Sequence, residues 1–340
     1  MINTATVIDV GGTHMRWGRW SREGGLINKQ SMPTPTFRRN ASLSVTQLQA
    51  LLVETICAIL PRERGAVAGI SFGAAMNHLN GTVYASAPLW GSDEAPFDML
   101  GALSSKRADV AWHVVNDVTA ALLHAASLPL CAEDQKVMLV TISTGIAART
   151  IYRKNQKIPF DACGLQGEIG HLPASASICG ESVALDCDCG ESGHLASYAS
   201  GPGIARMAEL ICKRHPELWR VSELGQQVAK DVNFEDAFKS AVIDQDSVAV
   251  ALLKDVTAPV ADVLRTALCL EPDIDRIILT GGVAVSLGEH YRESIISHLT
   301  HKGIYLTSKY HPEWVNERVA VLEADCLIGA GTAALMGKGV

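Results

Sequence analysis

An α/β fold with mixed or parallel sheets is predicted by three features of the sequence. Strand-like runs alternate with helix-length amphipathic segments. A buried strand that enters a small-residue turn and then a second strand occurs twice, at 7–13 before 15–20 and at 140–145 before 149–153. A third turn, Thr280-Gly281-Gly282-Val283, follows another apolar strand and opens toward a helix.

In chain order, β-branched content and length predict strands over 5–10, 67–72, 112–116, 137–143, 276–280 and 318–323. Apolar residues on a helical period predict helices over 43–60, 118–126, 204–214, 248–270 and 326–336. The stretch 173–186, rich in Ser and Ala, reads as a long surface loop. No short repeat, low-complexity tract or heptad run is present.

The 340 residues are 48% hydrophobic and 19% charged, enough apolar material for about two domains. A net charge of −7 argues against a nucleic-acid scaffold. Every apolar stretch is interrupted well before the roughly 18 residues of a membrane span, so a soluble chain is expected, with no membrane partner. The N-terminus has no basic n-region and enters a strand directly, so no signal peptide is expected. Nine cysteines, an odd number, point to reduced thiols in the cytoplasm, with Cys57, Cys131, Cys163, Cys212, Cys269 and Cys326 in apolar patterns that suit burial.

Gly11 and Gly12 leave the N–H groups of a tight turn unshielded for phosphate oxygens, and Thr13 adds a hydroxyl. Asp9, at the strand end, is placed to hold Mg²⁺ directly or through water. An ordinary hairpin accounts equally for a lone D-x-G-G-T. Ser143-Thr144-Gly145 is a weaker second turn, and Arg149 beyond it reads as an exposed strand residue or an added phosphate contact. Asp117 ends an apolar strand before a small-residue helix start; it is either a helix N-cap or a carboxylate projecting into a cleft. His171, Cys187, Cys189 and His194 supply four N/S ligands, the number of a closed structural zinc site, against the alternative of surface thiols and unrelated imidazoles.

Taken in order, Asp9-Val10-Gly11-Gly12-Thr13, Asn116-Asp117, Ser143-Thr144-Gly145, Gly167-Glu168-Ile169-Gly170-His171 and Thr280-Gly281-Gly282 resemble the motifs of the ROK family of sugar kinases, over nearly the whole chain. The resemblance implies a two-lobed actin-like ATPase (ribonuclease H-like) fold with a duplicated mixed-sheet core. Residues 1–117 would form a small lobe to which 326–340 returns, and 118–325 a large lobe with the zinc loop. It implies ATP-dependent transfer to a hexose or amino-hexose hydroxyl, by family habit O6, with Asp117 as general base. Asn116, Glu168 and His171 would bind the sugar; Asp9, Gly11, Gly12, Thr13, Thr144, Gly145, Gly281 and Gly282 would bind ATP and Mg²⁺. A homodimer is implied as well.

The structural Zn²⁺ of the family is held by a His and three Cys. Here the last position is His194, which predicts a Cys₂His₂ set, with Cys179 in the lengthened loop as a spare. Ala196 stands where the family has a sugar-contacting Glu, and Ala87-Pro88-Leu89-Trp90 lacks the usual Asn. Those two absences point away from glucose, since an unmatched buried polar group costs about 1–3 kcal/mol. The alternative is a non-catalytic sugar-binding or regulatory protein of the same fold. A DNA-binding repressor is disfavoured because the first phosphate motif begins by Val7.

Overall fold

The computed structural model describes residues 4–63, 65–91, 96–159, 162–164 and 166–336. Two compact units are present. One takes in the described residues up to Glu133, Arg149–Gln166 and the C-terminal segment from Ala324; the other takes in Asp134–Ala148 and Gly167–Glu323. The first unit thus runs past the boundary at residue 117 read from the sequence, because the helix beginning there packs on the C-terminal helix. Residues 337–340 of the returning segment lie outside the described residues.

In the first unit, Thr4–Val10 (β1) pairs antiparallel with His14–Ser21 (β2), which pairs with Gly25–Pro33 (β3). On its other side β1 pairs parallel with Ala66–Phe72 (β4), and β4 with Val110–Asn116 (β5). The last six positions of both β1 and β4 are buried, as central parallel strands covered on two faces must be. Ile8, Val10, Ile70 and Phe72 pack against Leu48, Leu52 and Ile56 of helix Val45–Ile59, which starts at a Ser44/Gln47 capping box. The alternate residues Ala5, Val7 and Val67 pack against Leu327 and Ala334 of helix Cys326–Met336. Because Val10, Phe72 and Asn116 are in register, the C-terminal ends of β1, β4 and β5 lie along one edge.

The second sheet repeats this plan. Its order is Ile146–Tyr152 (β7), Lys136–Ile142 (β6), Arg276–Thr280 (β8) and Val319–Val321 (β9), the last three parallel. A hairpin followed by two parallel strands therefore occurs in both sheets, the duplication read from the sequence. The 24-residue helix Ser247–Leu270 forms much of the second core.

Two expectations are corrected. Residues 173–186 are not all loop: Ala176–Ile178 and Glu181–Val183 form a hairpin. Its turn residues Cys179 and Gly180 have φ of 50° and 83°, the left-handed pair that a two-residue hairpin turn requires. Of the cysteines expected to be buried, Cys163 and Cys269 are exposed, although all nine are free thiols. No described helix is long and apolar enough to cross a membrane.

Candidate active site

The edge formed by β1, β4 and β5 carries the first group of residues singled out in the sequence, as expected where parallel strands end. In the Gly11–Thr13 turn, the Gly11 N–H donates to the His14 carbonyl at 3.2 Å. Buried Thr34 clamps the turn, its hydroxyl donating to the Gly11 carbonyl at 2.7 Å and its N–H to the Thr13 carbonyl at 3.1 Å. Thr13 stays exposed. Neither turn glycine has positive φ. Crowding explains Gly12 instead: a Cβ there would sit 2.6 Å from the Pro88 Cβ. Pro88 belongs to the short helix Ala87–Trp90, whose Leu89 and Trp90 are buried, so the segment lacking the expected Asn braces the phosphate turn.

Of the two readings left open for Asp117, the capping one falls to its neighbour Asn116. Asn116 is the N-cap of helix Asp117–Ala125, its Oδ1 accepting from Val118 N at 2.9 Å and Thr119 N at 3.4 Å while its amide donates to the Ala74 carbonyl at 3.1 Å. Its carbonyl is thus spent on the helix, and one amide hydrogen is what it can offer a ligand. Asp117 is the first helical residue, half-buried, with Oδ1 accepting from Val118 N at 2.9 Å. Its Oδ2 lies 3.4 Å from where a side chain on Gly73 would begin. Cys326, from the C-terminal helix, donates to the Asp117 carbonyl at 3.5 Å. Burial, reinforced by the Asp9 and Asp117 carboxylates, pushes the Cys326 thiol well up, so it remains a neutral S–H.

Asp9 is buried and does not stand open as a Mg²⁺ ligand would. Its Oδ2 accepts from Arg16 Nη2 at 2.5 Å and Nε at 3.2 Å, and its Oδ1 accepts from Ser71 Oγ at 2.8 Å. These donors compete with the direct one of the two Mg²⁺ contacts read from the sequence and leave the water-mediated one open.

In the second unit, the ends of β6 and β8 carry the other two turns. They open on a cavity of about 440 Å³ lined by Thr144, Gly201, Phe234, Glu235, Gly282 and Val283, among others. Thr144, Gly145 and Gly282 are exposed. Gly281 has φ 90°, and a Cβ there would come 2.4 Å from the Ile142 carbonyl oxygen, so no other residue fits between the two strand ends. Gly281→Ala is expected to cost about 1–3 kcal/mol of stability, measured by thermal denaturation. Gly145→Ala is the control for stability alone, because a Cβ there meets nothing within 4 Å. Sequence reading missed Asn233, Phe234 and Glu235. Asn233 caps the helix Phe234–Ile243 by accepting from Glu235 N at 2.9 Å, and that Asn before an amphipathic run was the available signal.

The four predicted metal ligands come together. One ligand atom from each of His171, Cys187, Cys189 and His194 lies within 4.8 Å of the others. Cys189 Sγ is 3.3 Å from His194 Nδ1 and Cys187 Sγ is 3.9 Å from His171 Nδ1. Tetrahedral zinc with bonds of about 2.0–2.3 Å needs ligand separations of roughly this size, so the set fits the ion. Cys179 is not among them; it sits in the hairpin turn, its N–H 3.4 Å from Asp255 Oδ2.

Glu168 immediately precedes the short 3₁₀ turn Ile169–His171, its carbonyl accepting from His171 N at 3.1 Å. Ala196 faces this segment, its Cβ 3.4 Å from where a side chain on Gly170 would start. Arg149 is 2% exposed rather than a surface residue, and its guanidinium donates to the Gln166 carbonyl, which commits it to the loop before Gly167.

The ROK family model matches residues 5–330. A 2-epi-5-epi-valiolone 7-kinase of an Actinoplanes species is 51% identical over 333 residues, covering 97% of this chain and 92% of its own length. A C(7)-cyclitol 7-kinase of Streptomyces hygroscopicus subsp. jinggangensis is 28% identical, with 96% and 93% covered. Among solved structures, a ROK family glucokinase from Streptomyces griseus in complex with glucose and AMPPNP superposes with a TM-score of 0.70 at 21% identity, covering 98% of this chain and all of that one. The actin-like ATPase fold implied by the sequence motifs is the fold of this chain.

Proposed function

The chain belongs to the ROK family, and from that premise we propose that it transfers the γ-phosphate of ATP to the exocyclic primary hydroxyl, the 7-hydroxyl, of a C7-cyclitol. The observation that carries this reading is the 51% identity, over 97% of the chain, to a 2-epi-5-epi-valiolone 7-kinase. The acceptor chemistry is that of the hexose O6 expected from the sequence, a CH₂OH on a six-membered ring; the ring differs. Ala196 beside the Glu168–His171 segment supports a carbocycle, because it offers no acceptor to a sugar hydroxyl.

Asp117 accepts the hydroxyl proton as the oxygen attacks phosphorus in line. The new O–P bond forms while the bond from the γ-phosphorus to the β–γ bridging oxygen breaks, and ADP leaves. Thr144, Gly145, Gly281 and Gly282 at the cavity, and Gly11, Gly12 and Thr13 at the first edge, hold the nucleotide. Glu168 and the His171 nitrogen turned away from the cysteines bind acceptor hydroxyls. Mg²⁺ carried by ATP would neutralise phosphate charge.

A coupled ADP-release assay tests this with 2-epi-5-epi-valiolone, glucose and N-acetylmannosamine. The cyclitol is expected to exceed both hexoses in kcat/KM by about 100-fold, the discrimination that one or two unmatched polar groups give. Equal or better turnover of glucose would move the acceptor back to the hexoses.

A further inference from the structure

The Gly11–Thr13 turn makes one backbone bond of its own, from the Gly11 N–H to the His14 carbonyl at 3.2 Å, and is otherwise held from outside. Thr34, fully buried, takes both of its ends: the hydroxyl donates to the Gly11 carbonyl at 2.7 Å and the N–H to the Thr13 carbonyl at 3.1 Å. In a trans peptide the C=O and the N–H that follows it point in opposite directions. Holding the Gly11 carbonyl toward Thr34 therefore aims the Gly12 N–H away from it, and the Thr13 carbonyl does the same for the His14 N–H. Among the described residues no acceptor takes the Gly12 or Thr13 N–H.

Thr34 is itself firmly placed. Pro33 ends β3 opposite His14, and Pro35 follows, which confines Thr34 to extended backbone. Three residues on, the Phe37 N–H donates to the Leu89 carbonyl at 2.8 Å, in the short helix whose Pro88 crowds Gly12. The strap 34–37 thus joins the turn to the segment packed on its glycine.

We propose that Thr34 is a positioning residue for phosphotransfer, its hydroxyl and N–H holding back the two carbonyls of the turn so that the Gly12 N–H faces the incoming phosphate. This rests on the phosphotransfer reading above. A donor aimed before charge develops costs no reorganisation at the moment of reaction, and losing one such donor costs about 10²–10³-fold in rate. Without the hydroxyl, the Gly11 carbonyl is free to swing toward the ligand and repel it.

The test uses Thr34→Val and Thr34→Ser in the full-length protein, with circular dichroism to establish folding. Thr34→Val keeps the β-branched shape and is expected to lower kcat/KM for ATP about 10²-fold while KM for the cyclitol stays unchanged. Thr34→Ser should restore most of the loss. Labelling glycine with carbonyl ¹³C and amide ¹⁵N isolates the glycines that follow a glycine, Gly12, Gly25 and Gly282. On adding ATP, the Gly12 and Gly282 amide signals should shift in the unaltered protein, and in Thr34→Val only Gly282 should. A Gly12 shift in Thr34→Val equal to that of the unaltered protein overturns the proposal, as does a Thr34→Ser variant no better than Thr34→Val. Should Thr34→Val fail to fold, Thr34→Ala decides by the same signals and the same split between the two KM values. If the unaltered protein releases no ADP with any acceptor, the phosphotransfer reading fails, while the Gly12 response to ATP still decides the role of Thr34.

Discussion

Replacing Asp117 with Asn is expected to lower kcat about 10³-fold or more while leaving the fold and nucleotide affinity nearly unchanged. General base catalysis contributes about 10²–10⁴-fold. Asn matches Asp in shape and keeps an oxygen for the Val118 N–H, which Asp117 accepts at 2.9 Å. The adjacent residue provides the contrast. Asn116 holds Val118 N, Thr119 N and the Ala74 carbonyl, so Asn116→Ala removes the cap and is expected to cost about 1–2 kcal/mol of stability. Kinetics with saturating ATP and cyclitol, paired with thermal denaturation, separate the two. Turnover above a tenth of the unaltered rate in Asp117→Asn would remove that carboxylate from proton transfer.

The residues alone left Asp117 either a helix cap or a carboxylate projecting into a cleft, and did not show Asn116 as the cap, because that depends on which side chain turns back on the helix. A side-chain torsion settles that, and residue order does not encode it. Strands whose side chains are buried were legible: β1, β4 and β8 carry near-continuous apolar runs. β3 was not, because nearly all its positions face solvent and its residues carry no alternating pattern. Helix Glu289–Lys302 escaped for a similar reason, with Tyr291, Ile295 and Leu299 its only buried apolar residues among charges. Residues whose chemistry depends on pairing across strands were the hardest. Asp9 read as a Mg²⁺ contact, direct or through water, and its ion pair with Arg16, seven residues on and opposite it in the hairpin, was not read at all. Arg149 looked exposed until the Gln166 carbonyl was found against it. By contrast, the C-x-C-G run with flanking imidazoles was legible as a unit because metal chemistry demands donor types within a short loop.

If the cluster holds the zinc that its four ligands fit, removing the ion is expected to loosen the segment from Glu168 to His194 before the rest of its unit. From Cys187 to Ser192 the backbone is tied within itself, Cys187 N to the Glu191 carbonyl at 2.7 Å and Gly190 N to the Cys187 carbonyl at 3.0 Å, and it is joined to its surroundings mainly at Gly193, whose N–H donates to the Leu185 carbonyl at 2.9 Å and whose carbonyl accepts from Ala174 N at 2.8 Å. Except for Cys187, 9% exposed, the loop from Asp186 to Ser192 buries no side chain. Four metal bonds would therefore add a constraint at the tip of the loop, and they would also anchor His171 and the turn carrying Glu168. Structural zinc contributes about 10–16 kcal/mol of apparent binding energy where a domain has no other core. This unit has a large apolar core of its own, so the expected loss is a few kcal/mol, concentrated in the loop. Elemental analysis should give about one zinc per chain. His194→Ala should lose it, lower the melting temperature and raise KM for the cyclitol more than KM for ATP. His194→Cys should retain it, since thiolate and imidazole are both competent ligands. Full stability and unchanged acceptor KM in metal-free protein would show that the four side chains hold the loop without an ion.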